Sequence, residues 1–273
     1  MDGSGTPAPA SAAPPPGQFE TLLTSVDQGV YTVQLNRPDK RNAFSMKMYE
    51  EIGEALADCA ARDDARVLML TGKGSFYSSG NDLTNFTQNM PPEGPEKFAE
   101  IASDMLQRFI DAFIDFPKPV VVAMNGPAVG IPVTLLGLCD LAYASHRATL
   151  ETPFTRLGLA PEACSSYMFP SIMGRLRASD LLLMGRKLTA EEAQEWGLIN
   201  EVFEDGSFME QATARAQALA ALPPTSVRDS KFSIRERERA TLKKVRACTW
   251  QENIDVHSRR SPLSLLSCCC WIR

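Results

Sequence analysis

Val120-Val121-Val122-Ala123-Met124-Asn125-Gly126-Pro127-Ala128-Val129-Gly130-Ile131 runs from an unbroken apolar strand through a glycine-bearing turn into a short apolar helix candidate ending near Leu138. An all-apolar run of this length marks a strand covered on both faces. A turn that opens a helix leaves amide hydrogens with no intrahelical acceptor, and such donors can hold a developing negative charge. Further on, Leu159-Ala160-Pro161-Glu162-Ala163-Cys164 sets one carboxylate in apolar sequence, a candidate base to face those donors. Upstream, Ser78-Ser79-Gly80-Asn81-Asp82-Leu83 follows a second apolar strand, Val67-Leu68-Met69-Leu70-Thr71, and supplies the other wall. Two turns and one glutamate read as the makings of an enzyme active site.

Each signal has a plainer reading when taken alone. Asn81 and Asp82 suit any tight turn, because both tolerate left-handed backbone and bond locally. The glycines of 125–130 suit a simple helix start. Glu162 follows Pro161, and a carboxylate at a helix start is favoured by the dipole whatever else it does. The order and spacing of all three carry the argument.

Strand and helix alternate around this centre. Residues 29–35 alternate as a strand, and Asn36-Arg37-Pro38-Asp39-Lys40-Arg41-Asn42-Ala43 breaks it into a polar, basic loop. Ser45 is a candidate N-cap for a helix with Met48, Ile52, Leu56 and Cys59 on one face. A helix from about 96 to 114 carries Phe98, Ile101, Met105, Phe109 and Phe113 on its apolar face, and Pro117-Lys118-Pro119 stops it. Residues 141–144 and 148–150 read as further strands. Beyond Gly158 the pattern turns helical. Thr189 to Glu192 and Ser207 to Glu210 have the spacing of capping boxes, Gly197 suits a helix stop, and a helix ends at Pro223-Pro224. From Val227 to about Asn253 runs a long, charged, amphipathic helix region. The expected fold class is α/β, with ββα repeats followed by a helical C-terminal portion. Residues 1–18, rich in Pro, Ala, Gly and Ser, are expected to be a disordered leader. Residues 19–200 form the core, 201–255 the helical region, and 256–273 an atypical, poorly ordered tail.

At 273 residues, 44% hydrophobic and 22% charged, the chain has the composition of a globular protein with a sizeable core. A net charge of −5 argues against a nucleic-acid surface, though a local basic cluster can still take phosphate. No apolar run approaches the roughly 20 residues of a membrane span. Of the seven cysteines, Cys59, Cys139, Cys164 and Cys248 lie in apolar contexts without metal-ligand spacing and read as buried thiols. Two histidines, His146 and His257, argue against a Ser-His-Asp machine or a histidine-rich metal site. Cofactor-free acid–base chemistry by a carboxylate remains.

Residues of about 20–250 resemble the crotonase, or enoyl-CoA hydratase/isomerase, superfamily. The resemblance rests on Ser79-Gly80-Asn81-Asp82-Leu83-Thr84-Asn85-Phe86, Phe116-Pro117-Lys118-Pro119, the stretch 125–131, Pro161-Glu162-Ala163-Cys164-Ser165-Ser166 and Gly185-Arg186-Lys187-Leu188-Thr189-Ala190. Within the superfamily it is greatest to the monofunctional Δ3,Δ2-enoyl-CoA isomerases of peroxisomal and mitochondrial type. The resemblance implies a crotonase-like β-β-α spiral with a C-terminal helical trimerisation region, hence a homotrimer if that helix forms. It also implies a fatty acyl-CoA substrate, held by its thioester oxygen between the backbone amides of Asn81 and Ile131. Coenzyme A is then part of the substrate, and neither a separate cofactor nor a metal is expected.

Further roles follow from the same resemblance. Hydratases of the superfamily activate water with two glutamates, and Thr134 and Phe154 stand at those positions here. Isomerases use one glutamate where Glu162 stands, and an apolar site containing Phe154 should raise its pKa toward neutrality. Lys40, Arg41, Asn42 and Ala43 match the nucleotide-contact loop, where cationic side chains suit phosphate. Ser79, Gly80, Asp82, Leu83, Gly130 and Phe154 are expected at the substrate, with Asp82 also an anchor for its loop. Pro132 is tolerated in a first helical turn. Residues 261–273 do not end in the Ser-Lys-Leu peroxisomal signal, so peroxisome or mitochondrion is implied by resemblance alone. A competing reading is a non-catalytic CoA-binding or interaction module like the crotonase-like domains of chromodomain corepressors. Retention of Glu162 and the lack of a chromodomain or basic hinge favour the enzyme.

Overall fold

The computed structural model describes residues 19–82, 84, 85 and 91–258, with the backbone alone at 95, 96, 99 and 248–258. The expected leader, Leu83 and residues 259–273 of the expected tail lie outside the described residues. Six strands form the main sheet in the order β1 (Leu22–Asp27), β2 (Val30–Leu35), β3 (Val67–Gly72), β4 (Val120–Met124), β6 (Leu141–Ser145) and β9 (Glu201–Phe203). β1 and β2 form an antiparallel hairpin, and every other neighbouring pair in this sheet is parallel. A smaller sheet joins β5 (Ala128–Val129), β7 (Thr149–Glu151) and β8 (Leu188–Thr189).

The helices are α1 (Met46–Ala61), α2 (Pro95–Ile114), α3 (Ile131–Thr134), α4 (Ser165–Met173), α5 (Arg175–Leu182), α6 (Ala190–Glu195), α7 (Phe208–Ala220) and α8 (Pro224–Ser258). β3 and β4 are buried at every residue, as their unbroken apolar sequence requires. Their period of two splits them between two layers. Leu68, Leu70, Val120, Val122 and Met124 enter the core under α1 and α2. Val67, Met69, Val121 and Ala123 face Ala212, Ala216 and Ala220 of α7, whose spacing of four puts small side chains on one helix face.

Most local signals read from the sequence are present. Ser45 caps α1, its hydroxyl accepting from the Met48 amide at 3.2 Å, and Met48, Ile52, Leu56 and Cys59 are all buried. The Thr189–Glu192 capping box is complete, and Gly197 adopts φ +83° after α6. Cys59, Cys139 and Cys164 are buried free thiols. Three expectations need correction. The second capping box does not form, because Ser207 sits at φ −114°, ψ 0° and its hydroxyl turns back toward the Glu204 carbonyl. Ile101 is 44% exposed, outside the buried stripe of α2. The helix expected over 131–138 is α3 followed by a tighter 3-10 turn, Leu135–Leu138.

Candidate active site

β3 and β4 run parallel and adjacent, so the turns leaving them emerge at one edge of the sheet, where ligands of open parallel sheets bind. The two turns are stitched together: the Val129 amide donates to the Ser78 carbonyl at 3.0 Å and the Ser78 amide to the Pro127 carbonyl at 3.3 Å. Gly80, at φ +91°, packs so closely on Val129 that a Cβ would lie 2.5 Å from its carbonyl oxygen. Gly130, at φ +70°, then swings the chain into α3. Its own amide donates to the Glu151 carbonyl at 2.8 Å, while its carbonyl accepts from Val133 and Thr134. The amides of Asn81 and Ile131 are left over: among the described residues neither donates to a protein acceptor. They flank the junction of the stitched turns. Pro132, in the first turn of α3, removes a donor that the helix does not need.

The basic loop closes against the first turn. The Ser79 amide donates to the Arg41 carbonyl at 2.9 Å, and the Phe44 amide to the Gly80 carbonyl at 2.8 Å. Lys40 and Arg41 are exposed, and the Arg41 guanidinium lies over the Phe76 ring at 5.1 Å. Asn42 has a different job from the ligand contact expected of it. It is fully buried at φ +53°, its amide nitrogen donating to the Lys73 and Phe76 carbonyls and its oxygen accepting from the Arg37 amide. Ala43 is buried too, and its carbonyl accepts from the Arg37 guanidinium at 2.6 Å. The same guanidinium pairs with Asp82 at 2.8 Å. Burial would push the Asp82 carboxyl up, but hydrogen bonds from Thr84 and the Arg37 charge outweigh it and hold the group below its usual value. Asp82 is thus tied to Arg37 of the basic loop and to Thr84 of its own. Ser79 is half-buried beside it.

Glu162 stands on a strained turn. Ala163 and Cys164 follow it at φ +51° and +59°, two successive left-handed residues without glycine, and both are buried. Such residues cost of order 1–3 kcal/mol each and persist only where packing holds them. The Ser165 amide and hydroxyl, at 3.1 and 2.7 Å, both donate to the Glu162 carbonyl. Burial raises the Glu162 carboxyl from its ordinary value to about 7. Tyr49 on α1 feels it: burial first, then the charge of Glu162, push the Tyr49 phenol well above its normal range. Tyr49 packs edge-on against Phe44 at 5.3 Å and Phe109 at 5.0 Å. Since Phe44 is bridged to Asn81, one aromatic pair links the Glu162 region to the first turn.

Thr134 and Phe154 are buried and cannot ionise; the Thr134 hydroxyl donates to the Ile131 carbonyl at 3.1 Å. A single carboxyl near neutrality and two unspent amides can take up and return a proton while steadying an oxyanion. Sequence reasoning missed three residues. Tyr49 looks like any apolar position of α1. Arg37 looks like one more cation of the basic loop. Asn85 accepts from the Met46 amide and donates to the Phe44 carbonyl and the Asn81 side chain, ties that span 39, 41 and 4 positions. A cavity of about 320 Å³ between α2 and α8, lined by Phe113, Phe116, Leu138, Phe232 and others, includes none of the site residues. Among the described residues no cluster of His, Cys, Asp and Glu suits a metal, and no helix is long and apolar enough to cross a membrane.

The enoyl-CoA hydratase/isomerase family profile matches residues 25–260, and the chain belongs to that family. The human enoyl-CoA delta isomerase 2 is 51% identical over 229 residues, which cover 84% of this chain and 58% of that protein. The mouse peroxisomal enoyl-CoA delta isomerase 3 is 44% identical, with 84% and 72% covered. The mouse chromodomain Y-like protein is 35% identical, with 84% and 40% covered. Among solved structures, OdaA of Pseudomonas aeruginosa superimposes with a TM-score of 0.81 at 34% identity, covering 93% of this chain and 99% of that one. The chain spans little more than half the length of the human isomerase 2 it matches.

Proposed function

We propose that the chain is a Δ3,Δ2-enoyl-CoA isomerase. Glu162, ionised, removes a proton from C2 of a 3-enoyl thioester. The electron pair spreads over the thioester carbonyl and the C3–C4 double bond, and the amides of Asn81 and Ile131 stabilise the charge on oxygen. The same carboxyl returns the proton to C4, leaving a trans-2-enoyl thioester and the carboxylate restored. No water or external oxidant enters the balance. The observation that carries the reading is the half-buried Glu162, whose carboxyl burial raises to about 7, while Thr134 and Phe154 are buried and cannot ionise. A base with this value matches the pH at which it works.

Lys40 and Arg41, both exposed on the loop that abuts Ser79, suit the phosphates of coenzyme A. Asn42, Ala43, Asp82 and Arg37 shape that loop, and Ser79, Gly80, Gly130 and Phe154 bound the acyl thioester. We assign the protein to unsaturated fatty-acid β-oxidation in peroxisome or mitochondrion, as a homotrimer; exposed Leu176, Leu183 and Met184 support self-association.

Purified protein given 3-hexenoyl-CoA should produce the absorbance of the conjugated 2-enoyl thioester, and Glu162→Gln should abolish it. Unchanged turnover in Glu162→Gln would remove this residue from the mechanism. The likeness to the chromodomain Y-like protein favours a second reading, a CoA-binding interaction module. Coenzyme A binding without turnover would select it, and 3-hydroxyacyl-CoA formed from a 2-enoyl substrate would select a hydratase.

A further inference from the structure

We infer that Cys164 is a positioning residue through which α8 holds the Glu162 carboxylate in place; this rests on the isomerase reading above. The turn 162–165 has no intrinsic reason to keep its shape. Ala163 and Cys164 are left-handed at φ +51° and +59°, and neither is a glycine. Released, both would fall back to right-handed backbone, extend α4 toward its N-terminus and swing Glu162 out of position. Ser165 binds the Glu162 carbonyl from within the turn, so it moves with the turn and cannot aim it.

The external hold comes from α8. The Cys164 thiol donates to the Leu242 carbonyl of α8 at 3.3 Å. The thiol thus docks on the backbone of α8 at Leu242. Burial raises this thiol to about 11, which keeps it an S–H donor at neutral pH. That stretch of α8 is clamped to α2: Arg246 pairs with Asp111 at 2.8 Å, and Arg239 and Lys243 pair with Asp115 at 2.7 and 3.0 Å. The charged and titratable groups around the turn are Tyr49 of α1, Cys164 itself, and the Asp111–Arg246 pair of α2 and α8. A thiol bond is weak, yet misplacing a base by about 1 Å can cost on the order of 10²-fold in rate.

The test compares Cys164→Ala with Cys164→Ser on 3-hexenoyl-CoA. Alanine removes the donor and should lower kcat about tenfold with KM unchanged. It should also move the acid limb of the kcat profile to lower pH, as the carboxylate escapes burial. Serine keeps a donor and should restore most of kcat and the original limb. Arg246→Gln loosens the same stretch of α8 without touching the turn, and should give the same kcat-selective loss; it decides the matter if Cys164→Ala does not fold. Wild-type kcat and pH profile in Cys164→Ala, or in Arg246→Gln where that variant decides, would overturn the inference. Equal losses in the alanine and serine variants, with equal falls in melting temperature, would reduce Cys164 to a packing residue. Absence of turnover in the wild type would instead overturn the isomerase reading, and the inference with it.

Discussion

The carboxyl of Glu162 carries a stability cost set by its burial. A carboxyl raised from its ordinary 4.5 to about 7 binds its proton more tightly in the folded state than in the unfolded one. Between pH 4.5 and 7 the native protein therefore holds more protons than the unfolded chain, and stability falls as pH rises through that window. The full rise corresponds to about 3 kcal/mol once the group is ionised on both sides. Glu162→Gln should melt higher than the wild type at pH 8, with the difference vanishing toward pH 4.5; scanning calorimetry at the two pH values checks it. In the isomerase proposed above, catalysis would respond in the opposite sense, because its base works ionised. Initial rates across pH 5–9 should show kcat/KM rising through a midpoint near 7. The carboxylate, its apolar neighbourhood and the lack of ionisable partners at 134 and 154 were all legible as sequence. Tyr49 was not, since the position on α1 that meets a turn over a hundred residues away depends on how α1 packs.

At the scale of elements, the site consists of two glycine turns pressed edge to edge. Gly80→Ala would drive a Cβ to 2.5 Å from the Val129 carbonyl at a positive φ that alanine disfavours, so the turns must part. Loss or misplacement of one donor typically costs about 10²–10³ in rate. Steady-state kinetics of Gly80→Ala should show a kcat deficit of that order in a protein that still folds by circular dichroism. The neighbouring loop depends on Asn42, whose side chain serves three backbone partners. Asn42→Ala leaves buried donors and acceptors unmet and should lower unfolding free energy by about 2–3 kcal/mol in urea titration. Asparagine in a polar loop reads naturally as a ligand contact; only the path of residues 73–76 against it reveals an internal tie. The same holds for Ser207, whose spacing to Glu210 suggests a cap that the preceding turn at Glu204 forestalls.

At the scale of the whole molecule, the sheet core is closed on one side by α1 and α2 and on the other by α7, while α8 braces the end of α2. Asp140 is the fulcrum of that brace. Its carboxylate accepts from the Val120 amide at 2.7 Å, pairs with Lys231 at 2.8 Å and meets Arg235 at 3.5 Å. Asp140→Ala would strand two largely buried cations and an amide at the start of β4. Removing one partner of such a pair costs about 3–5 kcal/mol where burial is complete, so a loss of at least about 2 kcal/mol is expected here. Denaturant unfolding should register it, with α8 the first segment to lose hydrogen-exchange protection. Partly buried pairs are screened only weakly, so added salt should not mimic the substitution.

The sequence by itself determined the parts that local chemistry dictates: the doubly buried strands β3 and β4, the capped helices, the two glycine turns and the solitary acid at 162. Their residue types and order also carried the resemblance to the family whose profile matches residues 25–260. The tertiary structure alone decided what depends on distant partners. It paired the short strands β5, β8 and β9, tied the Asn42 side chain to residues 37, 73 and 76, and brought Tyr49 to Glu162 and the Cys164 thiol to α8. The last two contacts join positions 113 and 78 residues apart, and no local pattern records them, because their energy exists only once the intervening chain has packed.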